Sequence, residues 1–384
     1  MKIPVLPHRI TQALRFSYAA LVAVSLTLAL PACDDDNNDA EPGLIQPTGP
    51  APAYAPNIDP QMLAVLEQFV AFGTPPLNTL SPRQARMAPS FTDAVETVLA
   101  KNNREAPAAN VTISQQVIRG ATTGVGYTPQ SAPDGILVRL YKPNGVTGTL
   151  PVIVYYHGGG WVIGSLDVYE PSAKALAERT GAIVVSVDYR LSPESKFPAA
   201  HEDAYAAYKW ARDNAASFGG NPAKVAVAGE SAGGNMAVGV CLLAKDRNYP
   251  LPIHQLLVYP VANNDLTTAS YNQYADAQPL NRPGIMYFTS NYFTSMADGD
   301  NKLISLTDVA NLTGLPTATI IAAEIDPLQT EGKQLSDKFT QVGVANEYRL
   351  YQGTTHEFFG TYSVVPKANE AQDFAASRLK AAFQ

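Results

Sequence analysis

The spacing of hydrophobic positions changes after about the first hundred residues. Before that point, residues 61–72 and 91–99 carry apolar side chains at the spacing of amphipathic helices. Eight short apolar segments follow, at residues 111–119, 136–142, 152–156, 183–189, 225–228, 253–260, 319–323 and 347–351. Helical patterns such as 169–180, 199–218 and 331–342 lie between them, and the central apolar runs are continuous, as in parallel strands buried on both faces. The pattern predicts an α/β fold with an eight-stranded, mostly parallel sheet and helices on both faces.

Two regions do not fit this alternation of strands and helices. Residues 61–105 precede the first strand, and a polar and aromatic insertion at residues 263–300 separates the sixth strand from the seventh. We expect both regions to form a small helical cap over the carboxyl edge of the sheet, where α/β folds place their ligands. The sequence thus predicts one domain from residue 61 to residue 384, with cap elements at about 61–105 and 263–300.

The first residues have the features of an export signal. Three basic residues precede an apolar run at residues 19–30, which is shorter than the about 20 residues needed to span a bilayer. The sequence Leu-Pro-Ala-Cys at residues 30–33 resembles the bacterial lipobox, in which Cys33 would be lipidated. Ordinary signal cleavage is the alternative. We expect an export signal at residues 1–33 and an exported lipoprotein anchored to a membrane, or otherwise a periplasmic or secreted protein.

Composition and charge narrow the choice of function. A polar segment rich in Asp, Pro and Ala at residues 34–60 predicts a flexible tether, and 46% hydrophobic residues overall favour a large packed core behind it. The net charge of -7 would become -10 on removal of residues 1–32, so no basic surface favours nucleic acid as a partner. No metal-ligand spacing is present, and Cys241 lies in an apolar helical segment, so a disulfide with Cys33 is not expected.

The sequence Gly-Glu-Ser-Ala-Gly at residues 229–233 has the context of a nucleophile elbow. It follows the apolar strand 225–228 and precedes a helical segment at residues 235–245. We predict that Ser231 is held on a strained turn, and that a side chain at position 229 or 233 would crowd the neighbouring strand and helix. A serine hydroxyl becomes a good nucleophile when an imidazole takes its proton, and the imidazole needs a carboxylate to fix its tautomer.

Candidates for the imidazole and the carboxylate follow later strands in the expected order. Asp326 comes directly after the seventh predicted strand, and His356 comes directly after the eighth. Glu324 is the nearest alternative to Asp326, whereas His201 and His254 fall in predicted regular elements and favour structural roles. The predicted catalytic triad is therefore Ser231, Asp326 and His356.

Three consecutive glycines follow the predicted strand at residues 152–156. In His-Gly-Gly-Gly at residues 157–160, no β-carbon would obstruct the approach of a substrate oxygen to the backbone amides. We predict that the N–H groups of Gly158, Gly159 and Ala232 form an oxyanion hole. His157 is expected to brace this loop rather than to act as a second base.

At these motifs the chain resembles the bacterial hormone-sensitive-lipase-like esterases, which have the α/β-hydrolase fold. The resemblance covers about residues 60–384. It also includes Asp-Tyr-Arg-Leu-Ser-Pro-Glu at residues 188–194, Phe-Pro at 197–198, Asp-Pro-Leu at 326–328 and His-Glu-Phe-Phe at 356–359. Glu230 stands where the family usually has Asp, and Glu357, where it frequently has Gly, adds a charge beside His356.

The resemblance implies a serine carboxylesterase that hydrolyses short-chain acyl esters of small molecules through an acyl-enzyme on Ser231, without metal or cofactor. The aromatic side chains expected to line its substrate pocket are Trp161, Tyr189, Phe288 and Tyr292. Two alternatives stay open: a ligand-binding relative that has lost catalysis, and an amide or lactone hydrolase that uses the same triad.

Overall fold

The computed structural model describes residues 43–120 and 135–384, and the structural statements below refer to these residues. The predicted export signal with Cys33, and residues 34–42 of the predicted tether, lie outside the described residues. Within the described ranges, no helix combines the length and the apolar character needed to cross a bilayer.

All eight predicted strands are present, within a few residues of the expected positions. They are β1 (Val111–Ile118), β2 (Ile136–Pro143), β3 (Leu150–Tyr156), β4 (Ile183–Asp188), β5 (Gly220–Glu230), β6 (His254–Val258), β7 (Thr317–Ile325) and β8 (Asn346–Thr355). The α-helices are α1 (Pro60–Ala71), α2 (Pro82–Met87), α3 (Phe91–Lys101), α4 (Glu170–Thr180), α5 (Ala199–Asn214), α6 (Ala232–Asp246), α7 (Ala269–Gln273), α8 (Arg282–Tyr292), α9 (Gln329–Gln341) and α10 (Pro366–Ala382). The hydrophobic pattern does not predict α2, α7 or α10.

The strands form one sheet in the order β1-β2-β4-β3-β5-β6-β7-β8. Strand β2 pairs antiparallel with both β1 and β4, and the pairs from β4 to β8 are parallel. The predicted α/β architecture with a mostly parallel sheet is confirmed. Because parallel strands share one direction, the carboxyl ends of β3, β5, β7 and β8 meet at one edge of the sheet.

Both faces of the sheet are covered by helices. Along β3, Val152 and Val154 belong to the core on one face, whereas Ile153 and Tyr155 belong to the core on the other. The first face packs against α5, α6 and α9, and the second packs against α4 and α10 together with α1 and α3. This double burial explains why the central strands are apolar throughout.

The described part of the predicted tether, residues 43–59, does not behave as a tether. Ile45 and Ile58 are buried in the core that includes α1. The N–H of Gly49 donates to the carboxylate of Glu67 on that helix, at 2.6 Å. The expectation of a free segment is therefore wrong from residue 43 onward, because its few apolar residues are spaced to reach the body of the domain.

The cap is formed by different segments from those that the sequence predicts. Helices α1 and α3 pack into the core beside the sheet, so they belong to the body of the domain rather than to the cap. The cap contacts come instead from residues between 77 and 87 and from the insertion after β6. A separate apolar cluster, which we call the cap cluster, joins these parts to the body: Ala85, Val162, Tyr271, Leu280, Ile285, Tyr287, Phe288 and Leu328.

Candidate active site

Ser231 lies on the sharp turn between β5 and α6. Its φ of 56° and ψ of -118° fall in a region that side-chain-bearing residues rarely occupy. The turn is held on both sides, because the N–H of Ser231 donates to the carbonyl of Val258 at 2.9 Å and its carbonyl accepts from the N–H of Asn235 at 3.1 Å. The strained turn predicted for this serine is confirmed.

The glycines that flank this turn have no room for a side chain. A β-carbon at Gly229 would overlap the carbonyl oxygen of Gly233 at the start of α6. A β-carbon at Gly233 would overlap the carbonyl oxygen of Tyr156 at the end of β3. The predicted crowding is thus confirmed at both positions, and it explains why the strand can turn so sharply into the helix.

His356 and Asp326 meet at the same edge of the sheet. Nδ1 of His356 lies 2.7 Å from Oδ2 of Asp326, and Oδ1 of Asp326 accepts from the N–H of Leu328 at 2.9 Å. In the neutral ring, a proton on Nδ1 donates to Asp326 and leaves Nε2 free to accept. Ser231 and His356 line the same cavity. The alternative acid, Glu324, instead accepts from the N–H of Gly353 at 2.6 Å.

The charges around His356 favour its protonated form. Burial by itself lowers the pKa of this imidazole, but the charge and hydrogen bond of Asp326, with the charges of Glu357 and Glu230, raise it above its ordinary value. An imidazole with a raised pKa is a stronger base. This arrangement therefore suits a group that takes a proton from a serine hydroxyl and later returns it.

The predicted oxyanion hole lies at the turn after β3 and at the start of α6. Among the hydrogen bonds of the described residues, none is donated by the backbone N–H of Gly158, Gly159 or Ala232. Ala232 is the first residue of α6, where backbone N–H groups lack partners within the helix. Gly159 has a φ of 99° and lines the cavity. The role of these amides stays a prediction, which their free N–H groups support.

His157 braces the glycine loop. Its ring is buried and stacks between Tyr189, at 4.2 Å between ring centroids, and Tyr169, at 5.7 Å. Nδ1 of His157 lies 2.7 Å from the carbonyl oxygen of Gly158. Burial lowers the pKa of this imidazole to about 4, so the ring is neutral near pH 7. The expected bracing role agrees with these contacts.

Comparison with known proteins agrees with this geometry. Residues 153–360, more than half of the chain, match a family described as alpha/beta hydrolase fold. The carboxylesterase NlhH of Mycobacterium tuberculosis is 42% identical over 251 residues, which cover 65% of this chain and 79% of that protein. The carboxylic ester hydrolase LipN of the same organism is 34% identical over 297 residues, covering 75% of this chain and 79% of that one.

Solved structures show the same likeness. The crystal structure of a thermostable esterase from Pseudomonas putida has a TM-score of 0.75 and 32% identity, covering 86% of this chain and 99% of that one. The chain belongs to the hormone-sensitive-lipase-like esterase family of α/β hydrolases. The protein is accordingly a carboxylic ester hydrolase.

The cavity of this esterase has a volume of about 710 Å³. Ser231 and His356 lie in its wall, and most of the remaining wall is apolar. The apolar side chains come from the body and from the cap, and they include Phe69, Leu77, Leu80, Phe91, Trp161, Leu280, Ile285, Phe288, Phe293 and Ile304. A β-carbon at Gly160 would overlap the ring of Phe288, so this glycine lets the cap approach the loop that carries the predicted oxyanion hole.

Two of the four expected pocket residues lie behind the cavity wall. Trp161 and Phe288 line the cavity, as expected. The hydroxyl of Tyr189 instead donates to the carbonyl of His157 at 2.9 Å. Tyr292 stacks behind Trp161 at 4.5 Å between ring centroids, and its hydroxyl lies 2.8 Å from Nδ1 of His201. The expectation for these two tyrosines is wrong, because their rings pack in the interior and neither is part of the cavity wall.

The departure at Glu230 places a buried carboxyl group next to the predicted nucleophile Ser231. It accepts hydrogen bonds from the hydroxyls of Tyr155 and Tyr259, and the ring of Tyr259 lies 4.5 Å from that of His356. The pKa of Glu230 is raised to about 7, mainly by burial and further by the charge of Glu357. The hydrogen bonds from the two tyrosines lower this pKa, but they do not cancel the effect of burial. This carboxyl therefore titrates near neutral pH.

The departure at Glu357 places a second carboxylate beside the imidazole. Its Oε1 lies 4.0 Å from Nε2 of His356 and accepts from the hydroxyl of Tyr169 at 2.6 Å. Its φ of 68° is a conformation that glycine adopts freely, which fits the residue frequent in the resembling family. The sequence identifies Glu357 as an unusual residue. No sequence pattern predicts its contact with Tyr169, which is 188 residues away in the chain.

The other described histidines have structural contacts. Nε2 of His201 lies 2.9 Å from Oδ1 of Asn235, and both ring nitrogens of His254 contact threonine hydroxyls. The structural interpretation of both residues agrees with these contacts. In the part of the chain that the structure describes, no group of three or more His, Cys, Asp or Glu side chains is arranged to hold a metal ion.

Proposed function

We propose that this esterase hydrolyses short-chain acyl esters through an acyl-enzyme on Ser231, with His356 as the base and Asp326 as its partner. One observation carries the proposal: Asp326 holds Nδ1 of His356 at 2.7 Å, and His356 and the strained Ser231 line one cavity. The substrate class has support from a relative, since a Pseudomonas putida protein named ethyl acetate hydrolase is 33% identical over 237 residues, covering 61% of this chain and 74% of that one.

The first half of the reaction forms the acyl-enzyme. Nε2 of His356 takes the proton of Ser231 as the serine oxygen attacks the ester carbonyl carbon. The carbonyl oxygen becomes negative and accepts from the free N–H groups of the oxyanion loop and of Ala232. Asp326 stabilises the imidazolium that has formed. The bond to the alcohol oxygen then breaks, Nε2 gives its proton to that oxygen, and the alcohol leaves.

The second half releases the acid. A water molecule takes the place of the alcohol, gives a proton to Nε2 of His356 and attacks the acyl carbon. The same amides stabilise the second tetrahedral intermediate. The bond to the serine oxygen breaks, the proton returns to Ser231, and the carboxylic acid leaves. Each step uses the same imidazole, first as a base and then as an acid.

The cavity supports a preference for short acyl groups. Its apolar walls favour an alkyl chain over a polar one, and the cap residue Phe288 reaches the glycine loop beside Ser231. Each methylene that is buried adds about 0.8 kcal/mol of binding until the space is full. Longer chains gain no further binding free energy once they meet the cap.

The test is a substrate panel on the purified mature protein, with aryl and alkyl esters measured beside amides and lactones. Esters are expected to be hydrolysed fastest, and a fluorophosphonate probe is expected to label Ser231, which peptide mass spectrometry would locate. Faster cleavage of amides or lactones would favour the other hydrolase. Ligand binding without turnover or labelling would favour a relative that has lost catalysis.

For localisation, we propose that the protein is exported and anchored by lipid on Cys33. The apolar run at residues 19–30 and the lipobox-like residues 30–33 support this. Because one sulfur would carry an anchoring chain, Cys33→Ser is expected to move the protein from the membrane fraction to the soluble fraction. A mature N-terminus at another residue, without lipid, would overturn the proposal and indicate a periplasmic or secreted enzyme.

A further inference from the structure

Glu357 lies on the side of the catalytic imidazole where the alcohol leaves. In the proposed reaction, Nε2 of His356 gives its proton to the departing alcohol oxygen, so that oxygen must come within hydrogen-bond distance of Nε2. Oε1 of Glu357 lies 4.0 Å from the same nitrogen, and the residue lines the cavity with 21% of its side chain exposed. Groups close to the ester oxygen on the alcohol part of a substrate therefore meet a carboxylate.

The carboxylate is held in place. The hydroxyl of Tyr169 donates to its Oε1 at 2.6 Å, and the ring of Tyr169 stacks against the buried His157. Among the hydrogen bonds of the described residues, none is made by Oε2 of Glu357. This oxygen can accept a hydrogen bond from a bound molecule while the other stays with Tyr169.

Apart from His356, the charge of Glu357 has no basic partner among the described residues of the cavity wall. Of the lining residues that the structure describes, Arg86 is the one Lys or Arg. Its guanidinium binds both carboxylate oxygens of Glu194, at 2.9 and 2.6 Å, and donates to the carbonyls of Val162 and Ser192. Arg86 is therefore committed elsewhere, and the alcohol side of the cavity carries a carboxylate that a substrate can use.

We propose that Glu357 determines substrate choice by selecting esters whose alcohol part carries a hydrogen-bond donor on the carbon next to the esterified carbon. The inference rests on the proposed function, because it needs the alcohol to leave at Nε2. A hydroxyl on that carbon lies about 3 Å from the ester oxygen, within reach of the carboxylate. Partly acylated polyols and sugars have such a hydroxyl, and esters of amino alcohols have a protonated amine instead. Alcohol parts that carry an anion are disfavoured.

The experiment compares matched esters in matched variants. For the hydroxyl, 2-hydroxyethyl butyrate is compared with propyl butyrate, which has the same number of heavy atoms. For the amine, 2-(dimethylamino)ethyl butyrate is compared with 3-methylbutyl butyrate. The proteins are wild type, Glu357→Gly, Glu357→Gln and the control Glu96→Gln, which changes an exposed acid outside the cavity wall. Glycine fits the positive φ at position 357, so folding should be preserved.

The measured quantity is the ratio of kcat/KM for the donor ester to kcat/KM for its apolar match. Glu357→Gly is expected to lower the ratio roughly tenfold in the hydroxyl pair and in the amine pair, since in each pair a hydrogen bond to a charged group is lost. Glu357→Gln keeps an acceptor but no charge, so it should lower the amine ratio more than the hydroxyl ratio. Glu96→Gln should leave both ratios unchanged.

The two proposals fail in different ways. Equal ratios in wild type, Glu357→Gly and Glu357→Gln, with all three hydrolysing propyl butyrate, would overturn the role of Glu357 and leave the esterase proposal intact. Absence of hydrolysis of all four esters by the wild type would overturn the proposed function itself. If Glu357→Gly fails to fold by circular dichroism, the amine ratio in Glu357→Gln decides: a lowered ratio supports the role of Glu357, and a ratio equal to that of wild type overturns it.

Discussion

Oε1 of Glu357 lies 4.0 Å from Nε2 of His356, while Asp326 lies 2.7 Å from Nδ1, so the imidazole has a carboxylate at each ring nitrogen. Burial lowers the pKa of His356, and these charges raise it above its ordinary value of 6.5. The base must be neutral to accept the serine proton, so activity is lost as the pH falls through this pKa. The acid limb of kcat/KM is therefore expected above pH 6.5.

Removal of the charge on Glu357 should move this acid limb. In Glu357→Gln the raising effect of one carboxylate is lost, while Asp326 and the buried Glu230 still face the ring. The acid limb is expected to shift to lower pH, as measured by kcat/KM of nitrophenyl butyrate against pH. A limb that stays in place, or that moves to higher pH, would contradict this account of the charges.

Replacement of the proposed nucleophile should remove turnover without unfolding the protein. Ser231→Ala is expected to lower kcat by roughly a thousandfold or more, because members of a triad act as a unit. The control is Ser217→Ala, which changes an exposed serine in the short 3-10 helix after α5 and should keep full activity. Ester hydrolysis by pure Ser231→Ala at the wild-type rate would rule out the proposed nucleophile.

Two buried histidines should respond differently to the same change. His356→Ala is expected to lose activity as Ser231→Ala does. His201→Ala should keep its turnover per folded molecule, but lose about 2–4 kcal/mol in the free energy of unfolding. The reason is that His201 joins Tyr292 to Asn235 by hydrogen bonds of 2.8 and 2.9 Å. Urea denaturation and active-site titration separate the two effects, and an active His356→Ala would disprove the assignment.

Glu230 should make the stability of the protein depend on pH. Its pKa in the folded state is about 7, above its ordinary value of 4.5, mainly because of burial. A raised pKa means that stabilisation present below about pH 4.5 is lost as the pH rises through about 7. Glu230→Gln cannot ionise, so its free energy of unfolding should fall less over this interval, by on the order of 3 kcal/mol at most.

This difference can be measured by urea denaturation of both proteins at several pH values. Glu96→Gln serves as the control, since Glu96 is exposed and should leave the pH dependence unchanged. If the free energy of unfolding falls equally in Glu230→Gln and wild type, the buried carboxyl is not the source of the pH dependence.

The length of the acyl chain should be limited by the cap. With nitrophenyl esters, activity is expected to peak at roughly two to eight acyl carbons, as the cavity fills. Phe288→Ala removes a ring beside Gly160 and should move the peak to longer chains. A wild-type peak at about sixteen carbons or more, with activation at an oil-water interface, would instead make the enzyme a lipase.

The fold and the candidate catalytic residues could be predicted because their signals are local. Continuous apolar runs identify strands that are buried on both faces, and β3 and β5 follow this pattern. The glycines at positions 229 and 233 indicate a sharp turn, because a side chain at either position would overlap the neighbouring backbone. Ser231, Asp326 and His356 each follow directly after a parallel strand. All three therefore lie at one edge of the sheet, because parallel strands end at the same edge.

The cavity wall and its charges depended on the tertiary structure. Aromatic residues at 161, 189, 288 and 292 look alike in the sequence, and all four are buried, yet packing across distant elements brings two of them into the cavity wall and leaves the others outside it. Likewise, no local pattern relates Tyr169 to Glu357. The sequence by itself determined the sheet and the candidate triad, through spacing and glycine sterics. Contacts between residues far apart in the chain decided which side chains face the substrate, because burial depends on the whole fold.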